Sequence, residues 1–291
     1  MRIAMIGGSG AIGRQLLAEY GADHELIDVS RQSGLVREYS KDELLRALRA
    51  SGAEALLLLA ARKVNPKEEQ SYSLYEENVR VVEAALEAAR ELGLTNVVYL
   101  SSRCVYDNRQ ANPIAEDGQI LPINYYGLSK FFGEQLCLYY NRHAGLHVKI
   151  LRLSQVIGAD ALGFMVSTFM RAAAEQQPLT IFGRSEGRRD YIYVRDVCRA
   201  IMCALNHPEA EGVFNIGSGQ GSSNRDLAEA VVRGYASESE ICCEEERPED
   251  TSQAWLDIQK ARDVLAFSPA YDLEGTFRDL AQREQGGAEK A

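Results

Sequence analysis

Short apolar runs alternate with amphipathic stretches along the first half of this chain, the pattern of a parallel sheet covered by helices. Ile3–Ile6 reads as the first strand and Ala11–Tyr20 as a helix. Glu25–Val29 is the second strand, Lys41–Ala50 a helix and Ala55–Ala60 the third strand. The spacing of Val79, Val82, Ala85, Leu86 and Ala89 predicts one apolar face on a long helix over Glu68–Leu92, stopped by Gly93. Asn96–Ser101 is the next strand, and Asp107–Pro122, rich in Asn, Asp, Pro and Gly, a loop. Asn124–Ala144 is a helix and His147–Leu153 a strand.

Beyond Gly158 the regularity falls away. Gly163–Glu175 and Arg195–Leu205 read as helices and Gly212–Ile216 as a short strand. Asn224–Tyr235 is helical behind Ser222 and Ser223 as caps. From Gln285 on there is no core signal, which predicts a frayed tail.

Composition narrows the class. The 291 residues suffice for one large core, or for a nucleotide-binding domain with a smaller partner. A net charge of −10 argues against nucleic acid or an anionic membrane as the main partner. It leaves room for a small anion held by a few Arg. The six Cys (104, 137, 198, 203, 242 and 243) show no C-x-x-C and no zinc-type pairing with the four His, so no metal site is expected. They read as reduced cytoplasmic thiols, with Cys137, Cys198 and Cys203 in the core. The opening residues Arg2 to Ile6 lack the pattern of a signal peptide, and the longest apolar run, Ala55–Ala61, fits only a buried strand. No membrane span is expected.

Two motifs carry the chemistry. Gly7-Gly8-Ser9-Gly10-Ala11-Ile12-Gly13 follows a strand and opens a helix, the context in which glycines cradle a pyrophosphate. Gly7 would allow the tight turn, Gly10 the approach of phosphate, and Gly13 the packing of helix on strand, with Ala11 and Ile12 at the helix N-terminus. Asp28 ends the second strand, 21 residues after Gly7, where an acid binds ribose hydroxyls and favours NAD. Arg31 could instead attract a 2′-phosphate, so NADP stays open. Further on, Tyr126 is the one Tyr of 14 with Lys at the fourth position, Lys130, so both share a helix face. Ser102 falls at the C-terminal end of a strand, where open α/β sheets place ligands. Tyr126 would act as acid/base, its pKa lowered by Lys130 and a nicotinamide cation, with Ser102 sharing the proton.

These residues and several further blocks resemble an extended short-chain dehydrogenase/reductase of the NAD-dependent epimerase/dehydratase family. The blocks are Leu59-Ala60-Ala61, Asn78-Val79, Ser101 to Tyr106, Pro122 to Lys130, Leu151-Arg152-Leu153, Arg189 to Asp196, Phe214 to Gly217, Arg247-Pro248 and Asp257 to Ala261. The resemblance runs to about Thr276. It implies an α/β fold: a Rossmann-type doubly wound parallel sheet (residues 1–157, rejoined by 188–218) with a smaller C-terminal α/β substrate domain (158–187 and 219–284), then a disordered tail, 285–291. Ser102, Tyr126 and Lys130 would be the catalytic triad. Ala60, Lys63 and Asn78 would line the cofactor site. Arg189 and Arg247 would bind the diphosphate of a nucleoside-diphosphate sugar, and the Tyr126 helix and the Glu68–Leu92 helix would pair across a homodimer.

Departures from the family pattern bear on the reaction. Dehydratases of the family carry an Asp-Glu pair after the catalytic hydroxyl residue, where this chain has Arg103 and Cys104. Cys104 stands where relatives that epimerise and then reduce a 4-keto sugar carry an acid/base Cys, but their paired His is missing from 161–167. Gln155 replaces an Asn, and Asp107 a Gly, near the sugar pocket. The expected function is NAD-dependent C4 epimerisation of a nucleoside-diphosphate sugar. An NAD(P)H-dependent keto-sugar reductase and a non-catalytic NAD(P)-sensing protein are the alternatives.

Overall fold

The computed structural model describes residues 1–62, 71–158 and 164–288. The first part runs β1 (Arg2–Ile6), α1 (Ala11–Tyr20), β2 (Glu25–Val29), α2 (Lys41–Ser51), β3 (Ala55–Leu58), α3 (Glu76–Leu92), β4 (Asn96–Ser102), α4 (Tyr125–Ala144), β5 (His147–Leu153) and β6 (Gln155–Ile157). It continues with α5 (Phe164–Ala174), β7 (Leu179–Phe182), β8 (Arg188–Arg189), β9 (Tyr191–Tyr193), α6 (Val194–Leu205) and β10 (Gly212–Ile216). Last come β11 (Ser222–Ser223), α7 (Asn224–Gly234), β12 (Ile241–Glu244), β13 (Gln253–Ala254), α8 (Gln259–Leu265) and α9 (Leu273–Ala288).

Six parallel strands form the central sheet in the order β10-β5-β4-β3-β1-β2. Alternation sorts their side chains onto two faces. Ile3, Met5, Leu57, Val98, Leu100 and Leu151 pack with Val197 and Ile201 of α6. Their neighbours Ala4, Ile6, Leu56, Val97, Tyr99 and Ile150 pack instead with Leu44 of α2, Leu86 of α3 and Cys137 of α4. Both faces are covered, so the strands read as unbroken apolar runs. A further cluster joins Ile157, Phe169, Ile181 and Tyr193 to Leu227 and Val231 of α7 and Phe277 and Leu280 of α9. Around it lie the small sheets β11-β8-β13 and β12-β7.

Most elements stand where the apolar pattern puts them, with local differences. β3 ends at Leu58 rather than Ala60, because the amides of Leu59 and Ala60 both turn onto the Ile6 carbonyl. α3 begins at Glu76, after a 3-10 turn over Tyr72–Leu74; of the expected helix from Glu68, residues 68–70 lie outside the described residues. Glu76 and Glu77 in the first turn of α3 suit the positive end of its dipole. Its buried face is Asn78, Val81, Val82, Ala85, Leu86, Ala88 and Ala89, with Val79 only half-buried. Ser102 is the last residue of β4, β2 spans Glu25–Val29 as expected with Asp28 one residue before its end, and α9 continues past Gln285 to Ala288. Ser223 caps α7 in a capping box with Asp226.

Candidate active site

The glycine turn between β1 and α1 borders a cavity of about 410 Å³. Gly7, Gly10, Ala11, Ile12, Gly13, Arg31, Ala60 and Asn78, all expected cofactor residues, are on its wall. Lys63 lies outside the described residues. Each glycine answers a different demand. Gly7 has φ +84°, and a Cβ there would stand 2.7 Å from the backbone of Ala60. A Cβ on Gly13 would fall 2.0 Å from the Gly8 carbonyl oxygen, so Gly13 is needed for helix against turn, rather than helix against strand. At Gly10 a Cβ would meet only the Gly7 oxygen at 3.4 Å, an ordinary contact. The fold alone does not require glycine at position 10; a phosphate resting on that backbone would.

Asp28 lies beneath the turn against Gly8. Its Oδ2 accepts from Ser30 Oγ at 2.8 Å, whereas Oδ1 is buried with no partner among the described residues. Asp28, expected among the cofactor residues, is therefore packed under the glycine turn and is not on the cavity wall. Asn78 is fully engaged within the protein. Its Oδ1 accepts from the Arg62 amide at 2.7 Å, and its Nδ2 donates to the Arg62 carbonyl and to Ser129 Oγ. It therefore shapes the wall after β3 and ties it to α4.

The second motif meets at the C-terminal end of β4. Ser102 Oγ accepts from the Cys104 amide at 3.2 Å, and the Cys104 carbonyl lies 2.2 Å from where a Cβ on Gly127 would be. The Ser102–Cys104 turn thus rests on the first turn of α4, which Asn124 caps by accepting from the Gly127 amide. Tyr126 is half-buried, and its hydroxyl has no hydrogen-bond partner among the described residues. Lys130 is 3% exposed; its Nζ donates to the Leu100 carbonyl at 2.7 Å and lies 5.8 Å from the Tyr126 ring centroid. Burial pulls the Lys130 ammonium down to about 8, against the opposing influence of Cys137 and Glu134. Tyr126 stands above its ordinary value, through burial first and Cys104 second. The depression expected from Lys130 is not found: both influences on Tyr126 raise it.

Sequence reasoning passed over Glu134, although it follows Lys130 as Lys130 follows Tyr126, four residues on along the same face. It is fully buried, accepting from Ser101 Oγ at 2.5 Å and from Arg152 Nε and Nη2 at 2.9 and 2.7 Å. Arg152 also reaches the Tyr106 hydroxyl at 2.7 Å, and that hydroxyl donates to Asn215 of β10. Consecutive β4 residues, Leu100 and Ser101, therefore receive consecutive polar turns of α4, which fixes the height of Lys130 over the sheet.

A separate cavity of about 560 Å³, mostly apolar, has Gln155, Phe169, Phe182, Arg189, Tyr191 and Asp250 among its walls. Arg189 Nη2 bonds Asp250 at 2.5 Å. Arg247 is exposed, off that wall, lying 4.2 Å over the Phe182 ring and 3.4 Å from Glu244. The Tyr191 hydroxyl is buried with no partner among the described residues, and was not among the expected site residues. Its block, Arg189 to Asp196, had been noticed only for the Arg.

Comparison with known proteins agrees with this geometry. Residues 3–217 match the sequence model of the NAD dependent epimerase/dehydratase family. A UDP-glucose 4-epimerase of Azospirillum brasilense is 29% identical, over 98% of this chain and 92% of that one. The solved UDP-N-acetylglucosamine 4-epimerase of Bacillus cereus superposes with a TM-score of 0.88 at 25% identity, over 98% of this chain and 96% of that one. The UDP-glucose 4-epimerase of Brucella ovis, solved in complex with NAD, superposes at 0.83 with 24% identity, over 97% of each chain.

Proposed function

Because this chain belongs to the NAD dependent epimerase/dehydratase family, we propose that it is an NAD-dependent 4-epimerase of a nucleoside-diphosphate sugar. The observation that carries the reading is the Tyr126 hydroxyl on α4, without a partner among the described residues, one turn from a buried ammonium and against the turn that holds Ser102. Bound NAD supplies reversible hydride transfer. Tyr126 takes the proton of the sugar hydroxyl as the hydride leaves its carbon, and returns it after the keto sugar has turned. A phenol above its ordinary value is a poor base, so positive charge must approach it before it can act. Ser102 would hold the sugar oxygen, and Lys130, beyond its bond to the Leu100 carbonyl, would support the phenolate and could donate to the nicotinamide ribose. Loss of water is disfavoured, since Arg103 bonds Asn108 and Cys104 replaces a carboxylate.

Arg189 and Arg247 would exchange Asp250 and Glu244 for the substrate diphosphate, whose oxygens match guanidinium forks. Gln155 lines the same cavity as Arg189. A homodimer through α3 and α4 is supported by the exposed aromatic rings of Phe132 and Tyr139 on α4. No helix among the described residues is long and apolar enough to cross a membrane. Keto-sugar reduction is the second reading, favoured by the closeness of Cys104 to Tyr126.

The test incubates purified protein with a panel of nucleotide sugars and 4-keto derivatives, first without added cofactor and then with NADH or NADPH. A new epimer with no net cofactor change supports the epimerase. Stoichiometric loss of reduced cofactor moves the assignment to a reductase, and no turnover in any arm argues for a binding protein.

A further inference from the structure

Arg31, which left NADP open on sequence grounds, is already engaged. It lies on the wall of the dinucleotide cavity just past β2, at the end where the fold places the adenosine ribose. Its guanidinium pairs with Glu77, from the first turn of α3, and lies 5.0 Å over the Tyr39 ring. Tyr39 and Glu77 are on the same wall. Glu77 is thus the carboxylate on this wall that faces the guanidinium, while Asp28 lies beneath the turn.

We propose that Glu77 makes the site select NAD over NADP, by occupying Arg31 and facing any 2′-phosphate with a second negative charge. The proposal rests on the cofactor reading above. A 2′-phosphate brings nearly two negative charges, and the guanidinium that would match its oxygens is held by a carboxylate it would have to displace. A free 2′-hydroxyl carries no charge and meets no such obstacle. The Arg31–Glu77 pair is about half exposed on both sides, so it contributes little to stability and its loss should leave the fold intact.

The experiment titrates cofactor-free protein calorimetrically with NAD and, separately, NADP, using wild type, Glu77→Gln and the double variant Glu77→Gln with Arg31→Gln. We expect wild type to prefer NAD. Glu77→Gln should bind NADP at least tenfold more tightly while NAD changes by less than threefold, and the second substitution should remove the gain. An unchanged NADP-to-NAD ratio in Glu77→Gln overturns the proposal, as does a gain that survives without Arg31 or a wild type preferring NADP. If wild type binds neither dinucleotide, the cofactor reading itself fails and the proposal falls with it.

Discussion

Lys130→Met should abolish activity without weakening the fold, and the reason can be read as a pH effect. The ammonium is buried and its pKa falls from 10.5 to about 8, worth about 3 kcal/mol at 1.36 kcal/mol per pH unit. Below pH 8 both folded and unfolded chains hold the proton, and the folded protein bears the whole penalty. Between about 8 and 10.5 the unfolded chain still binds a proton that the folded one has released, so stability rises with pH. Methionine has no such term, but it leaves the Leu100 carbonyl without its donor, at about 1–3 kcal/mol. The two effects nearly cancel near neutrality. Urea unfolding at pH 7, 8, 9 and 10 should find the pair within about 1–2 kcal/mol at pH 7, with wild type gaining about 2–3 kcal/mol on the variant by pH 10. Lys149, also lowered to about 8 by burial, is common to both proteins and drops out of the difference. A gap that stays flat with pH would refute the claim that Lys130 is a desolvated ammonium.

Other perturbations separate chemistry from architecture. Tyr126→Phe should lower turnover by about 10²–10⁴-fold while calorimetric cofactor affinity stays within a few-fold. Gly10→Ala should unfold within about 0.5 kcal/mol of wild type yet bind cofactor far more weakly, whereas Gly13→Ala, driven into the Gly8 carbonyl, should lose about 1–3 kcal/mol; urea melts beside calorimetry check both. Glu134→Ala should cost about 3–5 kcal/mol by leaving Arg152 buried and unpaired, and adding Arg152→Met should restore part of that loss.

The strands that carry the glycine turn and Ser102 were legible because a sheet buried on both faces writes itself as uninterrupted apolar runs. The start of α3 was not. The residues before Glu76 have no apolar periodicity of their own, and the buried Asn78 interrupts the pattern where the helix clamps the chain after β3. The candidate catalytic face was half legible. Tyr126 and Lys130 announce themselves by spacing, but Glu134 looked like any helix-surface acid, since its partner Arg152 comes 18 residues later on another element. The acid facing Arg189 was hidden for the same reason, since Asp250 comes 61 residues later, whereas Glu244 stands only three residues before Arg247. The raised pKa of Tyr126 follows from burial, which no spacing reports.

The returning strand β10 has a consequence for engineering. It completes the central sheet beside β5 only after the chain has passed through β6, α5, β7, β8, β9 and α6. A gene cut after β5 would yield a protein with a bare, apolar parallel edge, a template for aggregation. A chimera that joins the front of one relative to the back of another within this excursion would pair β5 of one with β10 of the other. Any viable chimera must splice at both ends of the excursion, keeping β10 matched to its own β5.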